Sequence, residues 1–338
     1  MRFGLSFGAL YARVEDVERL GVEAEAGGVD SLWVPDSQVL YRDPYATLTR
    51  LAGATRHVRL GTLATNALTR HPAVTANAIL TIQELSGGRA ILGLATGDSA
   101  VRRIGARPLR VADLERAVAE IRTLLTGGAV ESEGGRFAIR WAGAAAPPVY
   151  VVATGARLLE AAGRIADGVV VNVGAHPALL RAARERIDGG ARAAGRDHRA
   201  IEVVAFFFCA IDATPEVARA RLKPSVSWLC QHFPGLCDTA GLPLDAGVRA
   251  ELRRLAADYT RYDLVHADRW AQAVELAAFL PDAYVDAFAL GGTAADVIEQ
   301  VRAVQALGFD HVLIRPPSTE DWRPTVRAFL DRVIPALR

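Results

Sequence analysis

Short apolar runs alternate along the chain with stretches in which apolar residues recur at helical spacing. This alternation is typical of parallel strands that are joined by helices. We predict eight strands, over residues 2–8, 31–34, 58–64, 89–95, 149–153, 168–173, 201–209 and 311–314. Their apolar residues are continuous, which suits strands buried on both faces, and eight such units favour a closed ring over an open sheet. The expected fold is therefore α/β, a (β/α)8 TIM barrel.

The intervening helices are marked by proline at several of their starts and by glycine after several of their ends. We predict helices over residues 13–28, 44–55, 72–85, 111–125, 156–166, 177–194, 293–307 and 323–337. Two stretches interrupt the rhythm, and they are the expected insertions after strands four and seven. Residues 127–148 are rich in glycine and proline, with a hairpin near Arg136–Ile139, and residues 215–280 are mostly helical. Because no linker is evident, residues 1–338 are predicted to form a single domain.

Composition limits the classes of function. The 338 residues exceed the roughly 250 of a typical TIM barrel, so insertions are expected. The 39 basic and 38 acidic residues leave a net charge of +1 without a basic stripe, which argues against nucleic acid as a partner. No run reaches the roughly 18 apolar residues of a membrane span, and the first residues resemble a strand more than a targeting segment. The cysteines are odd in number and lack zinc-ligand spacing, so we expect reduced thiols, a cytoplasmic location and no metal site.

Polar residues and glycines follow several of the predicted strands. A TIM barrel carries its active site on the loops at these strand ends. The residues in question are Asp36 after strand two, Thr65 and Asn66 after strand three, Thr96, Gly97 and Asp98 after strand four, Thr154 and Gly155 after strand five, and Asn172 at the end of strand six. Each has a structural alternative, since Asp36 could pair with an arginine and Asp98 could lie in a solvated turn. Their convergence on one rim predicts a ligand site.

The segment A-T-G-A-R at residues 153–157 joins a predicted strand to a predicted helix. Backbone N–H groups at a helix start bind phosphate well, which makes Ala153, Thr154, Gly155 and Ala156 candidate phosphate ligands. The alternative is an ordinary helix cap supplied by Thr154. Neither the dinucleotide-binding nor the P-loop glycine motif is present.

Several segments resemble one known family. They are G-T-L-A-T-N at 61–66, E-L-S-G-G-R-A-I-L-G at 84–93 with G-D at 97–98, G-V-D-S-L-W-V-P-D at 28–36 and P-V-Y-V-V-A-T-G-A-R at 148–157. With these segments the chain resembles the luciferase-like superfamily, and within it the methylenetetrahydromethanopterin reductase-like enzymes that use the deazaflavin coenzyme F420. The likeness covers almost the whole chain except roughly residues 215–280.

The resemblance implies a (β/α)8 barrel that is usually a homodimer. It implies a cis non-prolyl peptide near Leu63-Ala64 that supports the central ring of the cofactor, with Thr65 and Asn66 near that ring. It places Asp98 at the acidic position close to ring and substrate. It also identifies the phosphate loop with Ala153–Ala156.

The chain departs from several F420 enzymes in one respect. They carry histidine directly after the aspartate of strand two, whereas Ser37 follows Asp36 here. The resemblance therefore does not identify the proton donor. We expect Asp98 to take this role with support from Asp36. The expected reaction is hydride transfer between F420 and a small-molecule substrate with a C=C, C=N or C=O bond, and a separate enzyme would reduce the cofactor. An FMN-dependent monooxygenase and a non-catalytic ligand-binding barrel remain as alternatives.

The segment S-W-L-C-Q-H-F-P-G-L-C-D at residues 227–238 mixes aromatic and small residues. We expect it to form a wall over the substrate through Trp228, His232 and Phe233, and packing alone is the alternative. His176 either approaches the cofactor tail or caps a helix. The pairs Arg70-His71 and Arg102-Arg103 lie just beyond strand ends, where they could meet an anionic tail or substrate; dimer contacts or surface charges are the alternative.

Overall fold

The computed structural model describes residues 1–7, 13–143, 145–256, 270–317 and 322–338. The strands are β1 (Arg2–Ser6), β2 (Ser31–Val34), β3 (Arg59–Thr62), β4 (Ala90–Leu94), β5 (Val130–Ser132), β6 (Gly135–Phe137), β7 (Val149–Ala153), β8 (Gly168–Val171), β9 (Glu202–Ile211), β10 (Leu290–Gly292) and β11 (His311–Arg315). Parallel pairing runs from β1 through β2, β3, β4, β7, β8, β9 and β11 and returns to β1. The predicted (β/α)8 barrel is confirmed.

The helices lie outside this ring. They are α1 (Val14–Ala26), α2 (Pro44–Ala54), α3 (Pro72–Leu85), α4 (Ser99–Arg102), α5 (Val111–Leu125), α6 (Ala156–Ile165), α7 (Pro177–Ala193), α8 (Pro215–His232), α9 (Pro234–Thr239), α10 (Ala246–Ala256), α11 (Trp270–Leu276), α12 (Asp282–Phe288), α13 (Ala294–Ala306), α14 (Arg323–Ala328) and α15 (Ile334–Leu337). Proline opens α2, where the Asp43 carboxylate accepts hydrogen bonds from the N–H groups of Tyr45 and Ala46. The local sequence thus fixes this helix start. None of the described helices is long and apolar enough to cross a membrane.

Three elements differ from the sequence prediction or refine it. Strand β10 was missed because it has three residues and pairs with the last three residues of β9, at and beyond the predicted end of that strand. The helix predicted over 323–337 is divided by a π-helical turn at Phe329–Val333. The hairpin predicted near Arg136–Ile139 is formed by β5 and β6. The predicted end of strand one at residue 8 and the part of the insertion at 257–269 lie outside the described residues.

Inward-pointing side chains fill the lumen of the barrel. Because side chains alternate along a strand, His311, Leu313 and Arg315 of β11 point to the same side. The apolar part of the lumen is filled by Trp33, Leu63, Ile91, Tyr150, Val170, Val204, Phe206 and Leu313. Glycine at position 61 makes room for the indole, since a Cβ there would lie 2.6 Å from Trp33 Cε3. The filled layers make this barrel a packed core rather than a pore.

A polar cluster lies at the N-terminal ends of the strands and centres on Glu202. Its carboxylate accepts hydrogen bonds from His311 Nδ1 at 2.9 Å, from Arg59 Nη1 at 2.9 Å and from Tyr150 Oη. The hydroxyl of Ser31 lies 3.0 Å from His311 Nε2 and accepts from Trp33 Nε1 at 2.8 Å. The Glu202 carboxylate can only accept, so Nδ1 of His311 carries a proton. In the neutral ring, Nε2 then accepts from the Ser31 hydroxyl.

The pKa values of the cluster agree with this arrangement. Burial lowers the pKa of His311 below its ordinary value of 6.5, although the Glu202 carboxylate acts in the opposite direction. Burial alone would raise the pKa of Glu202, but the hydrogen bonds from His311 and Tyr150 outweigh it and lower that pKa. Both groups bind protons more readily in the unfolded chain. The contribution of His311 to the free energy of unfolding is thus complete above pH 6.5 and decreases as the pH falls below it, whereas that of Glu202 is complete above pH 4.5 and decreases only below that value.

We expect Glu202→Gln to lower the free energy of unfolding by about 3 kcal/mol at pH 7.5, because Arg59 and His311 lose a buried anionic partner. Urea unfolding followed by circular dichroism measures the change. The matched control is Glu251→Gln, which breaks an exposed pair with Arg254 and should cost less than about 1 kcal/mol. Equal losses in the two variants would show that the cluster does not stabilise the barrel.

Candidate active site

A cavity of about 600 Å³ opens at the C-terminal ends of the barrel strands. This volume lies within the range of small-molecule sites. The predicted site residues that line it are Asp36, Leu63, Ala64, Asn66, Thr96, Gly97, Asp98, Thr154, Gly155, Ala156, Asn172, Trp228, His232 and Phe233. The fold thus brings residues from the ends of five strands and from α8 together around one cavity.

Two predicted cofactor residues do not line the cavity. Thr65 is fully buried, and its hydroxyl donates to Asp36 Oδ2 at 2.7 Å. Ala153 is the last residue of β7 and is 1% exposed within the apolar core. In each case the neighbouring residue, Asn66 or Thr154, lines the cavity instead.

Strand β3 bulges at residues 62–65, and this bulge forms one wall of the cavity. The hydroxyl of Thr62 donates to the Gly93 carbonyl oxygen at 2.8 Å and accepts from the Gly93 N–H at 3.0 Å. Backbone pairing with β4 resumes at Thr65, whose N–H donates to the same carbonyl at 3.0 Å. Between these points the Leu63-Ala64 peptide is cis, which confirms the prediction. Leu63 and Ala64 both line the cavity and give it an apolar surface there.

The Asp36 side chain is 2% exposed and its carboxylate is occupied. Oδ2 accepts hydrogen bonds from Thr65 Oγ1 at 2.7 Å and from Arg70 Nε at 3.1 Å. Arg70 also pairs with Asp43 at 2.5 Å, so one guanidinium ties the loop after β2 to the start of α2. Asp36 therefore braces the bulge, which is the structural alternative named for it.

Asp98 is more accessible. Its side chain is 33% exposed, and its carboxylate pairs with Arg102 Nε at 2.9 Å. The preceding Gly97 has a φ of 92°, which favours glycine, and it places Asp98 as the residue before α4. A solvent-accessible carboxylate on the cavity wall can exchange a proton with a ligand.

Helix α6 begins against the cavity without a side-chain cap. Its N-cap residue is Gly155 rather than Thr154, and no side chain accepts a hydrogen bond from its first turn. The side chain of His176, by contrast, accepts from the Ala178 N–H at 3.3 Å and caps α7. The start of α6, including Ala156, is therefore suited to an anionic group such as a phosphate.

Buried polar atoms on the cavity wall lack partners within the described ranges. The amide oxygen of Asn66 accepts from the N–H groups of Leu68 at 3.0 Å and Thr69 at 2.8 Å, which leaves its Nδ2 as a donor without an acceptor. Ser37 Oγ and Trp228 Nε1 are likewise buried without a hydrogen-bond partner among the described residues. Since buried polar groups are normally hydrogen-bonded, polar groups of a bound ligand are candidate partners for these atoms.

Four further residues that line the cavity were not predicted from the sequence. Phe206 and Phe208 point inward from β9, Arg315 ends β11, and Tyr41 lies on the loop before α2. The predicted strand eight ended at residue 314, so a charged residue directly after an apolar strand was the available signal for Arg315. No comparable sequence signal marked Tyr41, because its position depends on contacts that are distant in sequence.

Comparison with known proteins identifies the family. The family model for luciferase-like monooxygenases matches residues 3–311. The chain belongs to this luciferase-like family. A 5,10-methylenetetrahydromethanopterin reductase from Archaeoglobus fulgidus is 32% identical over 349 aligned residues, which span 100% of both proteins.

Two solved structures share the fold. A coenzyme F420-dependent tetrahydromethanopterin reductase from Methanopyrus kandleri superimposes with a TM-score of 0.79 and 25% identity, covering 100% of this chain and 99% of that one. An F420-dependent secondary alcohol dehydrogenase with an F420-acetone adduct gives a TM-score of 0.76 at 19% identity, with 100% and 99% coverage, and supports the barrel alone. The resemblance seen in the sequence is confirmed.

Gly97→Ala should weaken ligand binding at the cavity about tenfold. A Cβ at this position would lie 2.4 Å from Val101 Cγ2, so the turn that carries Asp98 must shift. Gly105→Ala is the matched control, because its φ of 76° is also positive but a Cβ there would meet no atom within 4 Å. Both variants should lose about 1 kcal/mol of stability from the positive φ. Titration with F420 separates them, and equal affinities would refute the steric argument.

Proposed function

We propose that this protein is an oxidoreductase that transfers hydride between coenzyme F420 and a small organic substrate with a C=N, C=O or C=C bond. The observation that carries the proposal is the composition of one cavity wall. It combines the apolar surface of Leu63 and Ala64, the buried amide donor of Asn66 and the uncapped start of α6. A flat heterocycle with ring carbonyls and a phosphate-bearing tail matches these features. The relatives named as reductases support the same interpretation.

The residues fit the cofactor in the following way. Leu63 and Ala64 would support the ring, and Asn66 Nδ2 would donate to a ring carbonyl. Gly155, Ala156 and the N–H groups of the first turn of α6 would hold the phosphate. Coenzyme F420, when bound, supplies a hydride to the substrate or removes one from it.

The protein's own groups then manage the proton and exclude water. Asp98 would exchange the proton at the substrate atom next to the reacting carbon, and Arg102 would hold its carboxylate in place. Trp228 packs against His232 and Phe233 with ring centroids 5.1 and 6.0 Å apart, and these rings would shield the reacting atoms. Because the Trp228 carbonyl oxygen lies 3.0 Å from His232 Nδ1 and can only accept, the proton of that ring is on Nδ1.

We further propose a single-domain, cytoplasmic homodimer that relies on a separate enzyme to reduce its cofactor. Exposed apolar side chains support the dimer. Val39, Leu68 and Val74 are 56%, 39% and 53% exposed on segments that follow β2 and β3. Exposed apolar side chains on consecutive segments of the chain are candidates for such an interface.

The first experiment is titration of the purified protein with oxidised F420 and, separately, with FMN, measured by calorimetry. We expect micromolar binding of F420. Ala156→Asp should weaken this binding at least about tenfold, because a carboxylate at the helix start repels phosphate, whereas the neutral isostere Ala156→Asn should not. Binding of FMN alone would point to a monooxygenase, and binding of neither would leave a non-catalytic barrel.

Asp98→Asn should lower the rate of hydride transfer about 100-fold while F420 affinity changes less than about twofold, since an amide cannot transfer the proton. Stopped-flow oxidation of reduced F420 by 5,10-methylenetetrahydromethanopterin and by acetone measures the rate. Asp113→Asn on α5, which breaks pairs with Arg110 and Arg116, is the control. An unchanged rate in Asp98→Asn would remove this residue from the mechanism.

A further inference from the structure

Arg315 is a buried arginine that points into the cavity. It shares the inward side of β11 with His311 and Leu313, and it is 9% exposed. Its Nη2 donates to the Tyr41 hydroxyl at 2.5 Å, and its guanidinium carbon lies 5.9 Å from the centroid of the Tyr41 ring. The side chain is therefore held in place by a neutral partner.

Arg315 has no carboxylate partner among the described residues, in contrast to other arginines near the lumen. Arg59 pairs with Glu202, Arg70 with Asp36 and Asp43, and Arg102 with Asp98. Removing a cation from water without an anion is costly, and a phenol hydroxyl does not neutralise it. An anionic ligand in the cavity would supply the missing charge with paired hydrogen bonds.

The order of strands places Arg315 on the side of the cavity away from the proposed cofactor wall. In the ring of eight strands, β11 lies opposite β4 and β9 lies opposite β3. Arg315 is the neighbour of Phe208 across β9 and β11, and the rings of Phe206 and Phe208 are 5.7 Å apart. This side thus combines one fixed cation with an apolar aromatic surface.

We infer that Arg315 binds a carboxylate of the substrate, and that the substrate is a small organic acid whose apolar part packs against Phe206 and Phe208. The inference rests on the proposed function, because it assigns the bulge of β3 to the cofactor and leaves the β9–β11 side for the substrate. Arg315 is a specificity residue in this assignment. The proton exchange stays with Asp98 across the lumen.

The test compares benzoate with its neutral isostere benzamide, titrated calorimetrically into the F420-saturated protein. Benzoate should bind at least about tenfold more tightly than benzamide, the size expected for a charge-assisted pair. Arg315→Gln should bind the two probes equally, and Arg315→Lys should keep an intermediate preference. Arg327→Gln removes the same charge from an exposed position of α14 and should behave like the wild-type protein. Circular dichroism checks that each variant is folded. If Arg315→Gln does not fold, the comparison of the two probes is made with Arg315→Lys instead.

Two results would overturn the inference. Equal binding of benzoate and benzamide by the wild-type protein would show that the cavity does not select an anion. Loss of F420 binding in Arg315→Gln but not in Arg327→Gln would assign Arg315 to the cofactor. If the protein binds FMN and not F420, the proposed function fails, and the same comparison in the FMN-saturated protein decides the role of Arg315 separately.

Discussion

Closure of eight parallel strands into a ring is the constraint on which the rest of this structure depends. A closed ring has a lumen, and alternate residues of each strand must fill it. The polar cluster around Glu202 fills the N-terminal end, and Trp33 with its apolar neighbours fills the middle. Towards the C-terminal end β3 departs from its pairing with β4, and the cavity opens beside this bulge. The cavity is the part of the lumen that the strands leave unfilled.

The two aspartates on the cavity wall differ in how deeply their ion pairs are buried. Asp36 and Asp98 each pair with an arginine, which holds both carboxylates in fixed positions. The Asp36 pair is almost fully buried and acts on the backbone, because it joins the loop after β2 to the bulge. The Asp98 pair is partly exposed and leaves its carboxylate accessible to a ligand. The two aspartates thus differ in burial rather than in residue type, and only the accessible one suits the proposed proton exchange.

The sequence predicted the barrel well because its signals are local. Apolar strands, prolines at helix starts and glycines after helix ends determine most elements, and α5 spans the predicted 111–125. The rim residues followed from the rule that parallel strands end at one face. Which of two neighbours lines the cavity did not follow, since the bulge changes the alternation and buries Thr65 while it exposes Asn66 to the cavity. Tyr41 and Arg315 meet across 274 residues, a separation that no local pattern encodes.

One side of the cavity is shaped mainly by the backbone and the other mainly by side chains. This difference bears on how one fold serves several reactions. The proposed cofactor side consists largely of backbone features: the bulge, the turn at Gly97 and the start of α6. A side chain at Gly97, for example, would require the main chain to move. The opposite side consists of the side chains of Phe206, Phe208 and Arg315, which stand on the well-paired strands β9 and β11. Those side chains can change without altering the strands beneath them. Selection of the substrate can thus vary on one side while the cofactor geometry on the other is retained.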